Sequence, residues 1–147
     1  MQARLDPWKV APELMAAMLT MEKTAADAGL EYSLYELIKT RASQMNGCAY
    51  CLHMHTRDAR QAGESELRLY LLSAWRESSL YSDRERAALA WTESLTLVSD
   101  KGASDLLYEQ LCKHFTEQER VALTLAITTI NAWNRIAIAF KSQHPTT

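Results

Sequence analysis

The stretch that decides the fold is residues 33–55, SLYELIKTRASQMNGCAYCLHMH. Ser33 and Glu36 have the spacing of a capping box, which predicts the start of a helix. Asn46-Gly47 interrupts the chain, because both residues tolerate left-handed backbone geometry. A second helix is predicted to start near Cys48. Two helices joined by a tight turn are therefore expected here.

Outward from this stretch, the same signals divide the chain into about seven helices. Ser82 and Thr116 open two further capping boxes, each with a glutamate three residues later. No segment shows the period-2 alternation of a strand. The predicted helices cover approximately residues 12–28, 33–45, 48–62, 65–73, 83–98, 105–112 and 117–142. The predicted fold class is all-α, a compact helical bundle.

The composition suits one domain over residues 1–147, with 48% hydrophobic and 23% charged residues. A net charge of −2, with basic and acidic residues interleaved, argues against a nucleic-acid partner. No signal peptide is recognisable at the start. The most apolar stretch, Val121–Phe140, carries Asn131, Asn134 and Arg135, which are costly inside a bilayer. We therefore expect a cytoplasmic protein with no membrane partner.

The spacing of Cys48, Cys51 and His55 is i, i+3 and i+7, which places them on one helix face at about 100° per residue. Cys48 lies at the helix start, where free N–H groups and the helix dipole stabilise a thiolate. His55 lies one turn after Cys51 and can take its proton. A free thiol with pKa ~8.5 is only a few per cent ionised at pH 7, so such neighbours create a nucleophile. The pattern predicts thiol redox chemistry.

Other interpretations of this segment remain open. The cysteines could be two core residues, since free cysteine packs as a small hydrophobe. A zinc site could use Cys48, Cys51, His53 and His55. However, His53 lies ~200° around the helix from Cys51, so these four ligands cannot converge. A c-type haem is excluded because Leu52, not histidine, follows the second cysteine.

Glu36, eleven intervening residues and then Cys48-x-x-Cys51-x-x-x-His55 resemble the signature of alkylhydroperoxidase D, within the carboxymuconolactone decarboxylase superfamily. The segment Asn131–Arg135 is also similar to single-domain members of that group. The resemblance covers roughly residues 30 to 140. True carboxymuconolactone decarboxylases are similar in fold but lack the cysteine pair, so a lyase activity is disfavoured.

The resemblance implies a thiol-dependent peroxidase that reduces organic hydroperoxides or hydrogen peroxide. Cys51 would attack the peroxide and become a sulfenic acid, and Cys48 would resolve it as a disulfide. His55 would relay the proton, with Glu36 behind it. The family also has a histidine between the two cysteines, where this chain has Tyr50.

The resemblance further implies that the redox-active pair serves in place of a cofactor. A dithiol reductant, either a lipoyl-bearing or a thioredoxin-like protein, would return the pair to its thiol form. Members of this group assemble as trimers or hexamers, and we expect a homo-oligomer, with a hexamer favoured. The apolar 122–139 helix suits an interface, because one small subunit can scarcely bury every side of it.

Each candidate residue also has a simpler interpretation. Glu36 could be simply the third residue of the Ser33 capping box, without a catalytic role. His55 could pair with Asp58 on the surface of its own helix. Tyr50 and His53 suit packing or the rim of a site, where either could touch substrate. The remaining cysteine and three of the tryptophans are expected in the core: Cys112, Trp75, Trp91 and Trp133. A general thiol-disulfide oxidoreductase, a metal-binding module and a structural oligomer with inert thiols are the alternative functions.

Overall fold

A computed structural model describes residues 2–146, which form nine α-helices and one 3₁₀ helix, with no strand in that range. The helices are α1 (Pro7–Val10), α2 (Pro12–Ala26), α3 (Tyr32–Asn46), α4 (Ala49–Gln61), α5 (Glu66–Leu71), the 3₁₀ helix (Leu72–Ala74), α6 (Asp83–Thr96), α7 (Val98–Lys101), α8 (Asp105–Cys112) and α9 (Glu117–Phe140). The all-α fold class is confirmed. All seven predicted helices are present, and α1 and α7, of four residues each, are additional.

Two of the three predicted capping boxes are confirmed. Ser82 accepts from the N–H of Glu85, and the Glu85 carboxylate accepts from the Ser82 N–H. The same reciprocal pair opens α9 at Thr116. The box at Ser33 is wrong: the N-cap of α3 is Glu31, two residues before Ser33, and it makes no side-chain capping bond. Ser33 is therefore already inside the first turn.

The main core lies between α3, α6 and α9, with α2 and α8 completing it. Apolar side chains of α3, including Leu34 and Ile38, pack with Trp91 of α6 and with Leu123 and Ile127 of α9. A second cluster joins α3 and α6 to the segment that follows α5. Because α3 is buried on nearly all sides, even its charged residues must find partners inside the protein.

The turn between α3 and α4 places the cysteine pair. Gly47 adopts a left-handed conformation with φ of 68°, which glycine reaches without a steric penalty. The Cys48 N–H then donates to the Ser43 carbonyl at 3.0 Å. The side-chain amide of Asn46 donates to Asn131 at 3.0 Å and to Asn134 at 2.8 Å. The turn is therefore anchored to α9, which explains why polar residues interrupt that apolar helix.

Helix α9 is the one helix in residues 2–146 that is long and apolar enough to cross a membrane by length and composition. A core helix meets the same criterion, and α9 packs against α2, α3 and α6. Its buried positions include Asn131 and Asn134, whose amides are hydrogen-bonded. Val121 and Ile138 at its two ends are exposed. This packing fits a core helix that exposes some apolar side chains near its two ends.

Candidate active site

Cys48 and Cys51 are joined by a disulfide, with their Cα atoms 5.3 Å apart. Cys48 is the N-cap of α4, and its sulfur accepts the backbone N–H of Cys51 at 3.3 Å. Both residues are buried. The predicted position of the pair at a helix start is confirmed, and the two sulfurs are close enough for reversible disulfide chemistry.

His55 lies one turn after Cys51 and faces α3. Its Nδ1 is 2.8 Å from Oε2 of Glu36, and each residue is only 3% exposed. The carboxylate accepts the Nδ1 proton, which leaves Nε2 as the ring nitrogen with a free lone pair. The alternative pairing of His55 with Asp58 is wrong, because Asp58 instead accepts from Arg57. Glu36 faces His55 and does not cap α3.

A cavity of about 640 Å³ opens beside these residues. Cys51, His55 and Glu36 line it, whereas Cys48 does not. Apolar side chains from four parts of the chain form most of the remaining wall, including Leu5, Met15, Leu19, Met54 and Ile136. The volume is within the range of pockets that bind small organic molecules. Cys51 is thus the cysteine that a bound molecule would meet.

The N-terminal segment closes one side of the cavity. The backbone N–H of Arg4 donates to the carbonyl of Phe140 at 3.0 Å, which fixes the segment to the end of α9. Trp8 then stacks on Trp133, with ring centroids 6.1 Å apart. Trp133 lines the cavity and is only partly buried, so its expected place in the core is wrong. Trp75 and Trp91 are buried, as predicted.

Behind Glu36 lies a second, partly buried carboxylate, Glu22 of α2, whose side chain is 24% exposed. It forms an ion pair with Lys39, accepts from the Tyr35 hydroxyl at 2.8 Å and accepts from the Trp133 indole at 3.0 Å. Burial alone would raise the pKa of Glu22, but the Lys39 charge and these hydrogen bonds hold it below its ordinary value. Burial and the Glu22 carboxylate raise the pKa of Tyr35 far above its ordinary value, so the hydroxyl remains a donor.

Tyr50 and His53, the two residues predicted at the rim of the site, lie on different sides of α4. Tyr50 lines the cavity and is 37% exposed, so it lies at the mouth. His53 is on the other side of α4, where it stacks on His144 and lines a different, shallow depression. Cys112 is exposed, so its expected place in the core is wrong. On α8 the neighbouring Leu111 takes the buried position instead.

A cation could meet three side chains here. Ligand atoms of Glu36, His55 and Asp58 lie within 4.8 Å of one another, the one such group of three among residues 2–146. Glu36 and His55 already satisfy each other, because Nδ1 faces Oε2. Three neighbours of the site have no signal in the sequence: Glu22, Lys39 and Trp133. They join it from separate helices, and no local motif connects them.

The fold and the Cys-x-x-Cys pair beside a Glu–His couple define a helical protein of the alkylhydroperoxidase D kind. The model of the carboxymuconolactone decarboxylase family matches residues 12–94. The chain belongs to the carboxymuconolactone decarboxylase family, and the resemblance stated from the sequence is confirmed.

Similar proteins extend over nearly the whole chain. Uncharacterized protein YdfG of Bacillus subtilis (strain 168) is 47% identical over 139 residues, which is 95% of each chain. The crystal structure of ATU0492 from Agrobacterium tumefaciens, a protein of unknown function, has a TM-score of 0.97 and 43% identity, and covers 99% of this chain and 100% of its own.

A more distant structure is the alkylhydroperoxidase AhpD core of an uncharacterized peroxidase-related protein from Ralstonia eutropha JMP134. Its TM-score is 0.83 at 20% identity, over 95% of this chain and 74% of that one. At that identity the likeness concerns the fold alone.

Proposed function

We propose that this chain is a thiol-dependent peroxidase, with Cys51 as the attacking thiol and Cys48 as the resolving thiol. The observation that carries the proposal is that Cys51 lines the cavity together with the hydrogen-bonded pair of His55 and Glu36. The redox-active group belongs to the chain itself, so the chemistry requires no separate cofactor.

The proposed reaction starts from the reduced pair. His55 Nε2 takes the proton of Cys51, and Glu36 stabilises the imidazolium that results. The thiolate attacks one peroxide oxygen, so that an S–O bond forms and the O–O bond breaks. The leaving alkoxide takes the proton from His55 and departs as an alcohol.

The sulfenic acid on Cys51 is then resolved. The Cys48 sulfur attacks the Cys51 sulfur, the disulfide forms, and the hydroxyl group leaves as water with the Cys48 proton. A dithiol reductant, lipoyl-bearing or thioredoxin-like, supplies two electrons and two protons to restore the pair. Overall, one peroxide and one dithiol become one alcohol, one water and one disulfide.

The cavity favours organic hydroperoxides over hydrogen peroxide. A space of about 640 Å³ with mostly apolar walls far exceeds what a molecule of two oxygens can fill. An apolar body gains roughly 25 cal/mol for each Å² removed from water, and hydrogen peroxide has no such body. Binding of the organic group would hold the peroxide bond near Cys51.

The test measures peroxide consumption by the reduced protein, with dithiothreitol as electron donor, for cumene hydroperoxide and for hydrogen peroxide. We expect turnover of both, with a higher kcat/KM for the organic substrate. Cys51→Ser should abolish turnover, whereas Cys112→Ser, the matched change at the exposed third cysteine, should retain it. Equal turnover by the parent protein and Cys51→Ser would refute the proposal.

The competing function is a general thiol-disulfide oxidoreductase, which the disulfide itself also fits. The two functions differ in one intermediate, because only the peroxidase forms a sulfenic acid. Reduction of a small disulfide without any consumption of either peroxide would favour the oxidoreductase.

A further inference from the structure

The cavity wall behind the Glu–His couple contains one buried lysine that the proposed reaction does not use. Lys39 is 4% exposed, and its Nζ lies 3.9 Å from Oε1 of Glu36. The same Nζ forms the ion pair with Oε1 of Glu22. The other oxygen of Glu36, Oε2, is the one that faces His55. Lys39 therefore stands between two carboxylates, the partly buried Glu22 and the buried Glu36, and Glu36 is the partner of the histidine.

The position of Lys39 is fixed by its surroundings. Glu22 is held from two directions, by the Tyr35 hydroxyl at 2.8 Å and by the Trp133 indole at 3.0 Å. The Lys39 ammonium also lies 4.4 Å from the centre of the Tyr35 ring, which adds a cation–π contact. A buried ammonium without partners would be strongly destabilising, so these contacts are what keeps the charge in place.

The charges around the cavity show why a cation is needed there. Among the described lining residues, Lys39 is the one lysine or arginine side chain, against four carboxylates. The N-terminal segment contributes Asp6, and α9 contributes no titratable side chain. The titratable groups that face the cavity from α2, α3 and α4 are Glu22, Tyr32, Tyr35, Glu36, Lys39, Tyr50, Cys51, His55 and Asp58. Without Lys39, the adjacent carboxylates on α2 and α3 would repel each other.

We infer that Lys39 is a positioning residue: it keeps Glu36 ionised, so that Glu36 can stabilise the imidazolium of His55, and Glu22 keeps Lys39 in place. The inference rests on the proposed roles of Glu36 and His55. When two carboxylates share a site without a cation, their repulsion favours the uptake of a proton by one of them. A protonated Glu36 would no longer favour the imidazolium, and Cys51 would keep its proton.

The test is the pH profile of Cys51 alkylation by iodoacetamide, in a background with Cys48→Ser and Cys112→Ser. Cys51 is then the only thiol, and the assay needs no peroxide. In Lys39→Met we expect the pH at which the alkylation rate rises to move upward by about one unit. At the acid end of the profile, the variant should then react about tenfold more slowly than the parent. At alkaline pH, where every thiol is ionised, the rates should converge.

A second substitution separates the inferred role from a direct effect of the lysine on the thiol. In Lys39→Met with Glu22→Gln, the competing carboxylate is absent and Glu36 can stay ionised, so the profile should return toward that of the parent. Lys23→Met is the matched control, because Lys23 is an exposed lysine that pairs with Asp27. Its profile should not move. If Lys39→Met fails to fold, Lys39→Gln replaces it, with the same expected direction.

The inference is overturned if the Lys39→Met profile superimposes on the parent profile. It is equally overturned if the double variant stays shifted as far as the single one, since Lys39 would then act on Cys51 without Glu36. Both results are independent of peroxide turnover. A failed peroxidase assay together with the expected alkylation profiles would refute the proposed function and leave the inference intact.

Discussion

Glu36→Gln removes the charge that faces His55 while nearly preserving the size of the side chain. In the parent protein the carboxylate Oε2 is 2.8 Å from Nδ1, and both residues are almost fully buried. The amide oxygen of glutamine can still accept the Nδ1 proton. The substitution therefore tests the charge of Glu36 and leaves the hydrogen bond largely in place.

The expected size of the effect of Glu36→Gln follows from the distance between Glu36 and His55 and from the burial of both residues. The charges of a carboxylate and an imidazolium are spread over each group, so their centres are taken as about 4 Å apart. At an effective dielectric constant of 20, two such charges attract by about 4 kcal/mol. If relaxation and cavity water offset half of this, about 2 kcal/mol of stabilisation of the charged histidine is lost. At 1.4 kcal/mol per factor of ten, the loss is roughly thirtyfold in the fraction of Cys51 thiolate paired with the imidazolium.

The assay is the rate of sulfenic acid formation on Cys51 at pH 7, in the Cys48→Ser background, with dimedone as the trap. We expect Glu36→Gln to react roughly thirtyfold more slowly, a loss that general acid–base catalysis readily accounts for. Glu93→Gln is the matched control, because Glu93 is also a buried glutamate in ion pairs but lies outside the cavity. Far-UV circular dichroism would verify folding. A rate within twofold of the parent would refute the role of Glu36.

Further predictions concern the thiols, stability and metal. Mild oxidation should remove two of the three free thiols and leave Cys112 reduced; a disulfide to Cys112, or a linked pair of chains, would contradict this. The pKa of Glu22 is lowered in the folded protein, so its stabilising contribution is complete above the unfolded value of about 4.3 and is lost as pH falls below it. The gap in Tm between the parent protein and Glu22→Gln should therefore narrow from pH 6 to pH 3.5, and a constant gap would refute this. Elemental analysis should find well under one zinc per chain, because His53 is turned away from Cys51; one tightly held zinc would contradict it.

Features that depend on neighbouring residues were predictable from the sequence. The break at Gly47 needs left-handed geometry, and the capping boxes at Ser82 and Thr116 need only residues within one turn. The start of α4 beside the cysteine pair follows from the same local signals. Local backbone chemistry determines each of these features.

Features that depend on distant contacts were not predictable from residue patterns, and the pairing of Glu36 with His55 was expected from the family resemblance alone. The Ser33 motif looks like a capping box, but Glu36 lies inside α3 and gains more by meeting His55, 19 positions away. Glu22 meets Trp133 across 111 positions. No periodicity or spacing in one sequence encodes such a contact, because it depends on how α2, α3 and α9 pack together.

The identity of the attacking cysteine shows two physical effects in opposition. The helix start favours Cys48, whose sulfur accepts a backbone N–H, but such an effect amounts to about 0.3–1 kcal/mol. Cys51 has His55 one turn away and opens on the cavity. A histidine backed by a carboxylate can shift a thiol by more than a helix end does. We therefore propose Cys51, and not Cys48, as the attacking thiol.

Mass spectrometry of the reduced Cys48→Ser and Cys51→Ser proteins, after one equivalent of peroxide and a dimedone trap, tests this central assignment most directly. We predict a trapped sulfenic acid on Cys51 in the first variant and none formed at a comparable rate in the second. A sulfenic acid on Cys48 in Cys51→Ser, with none in Cys48→Ser, would contradict the account.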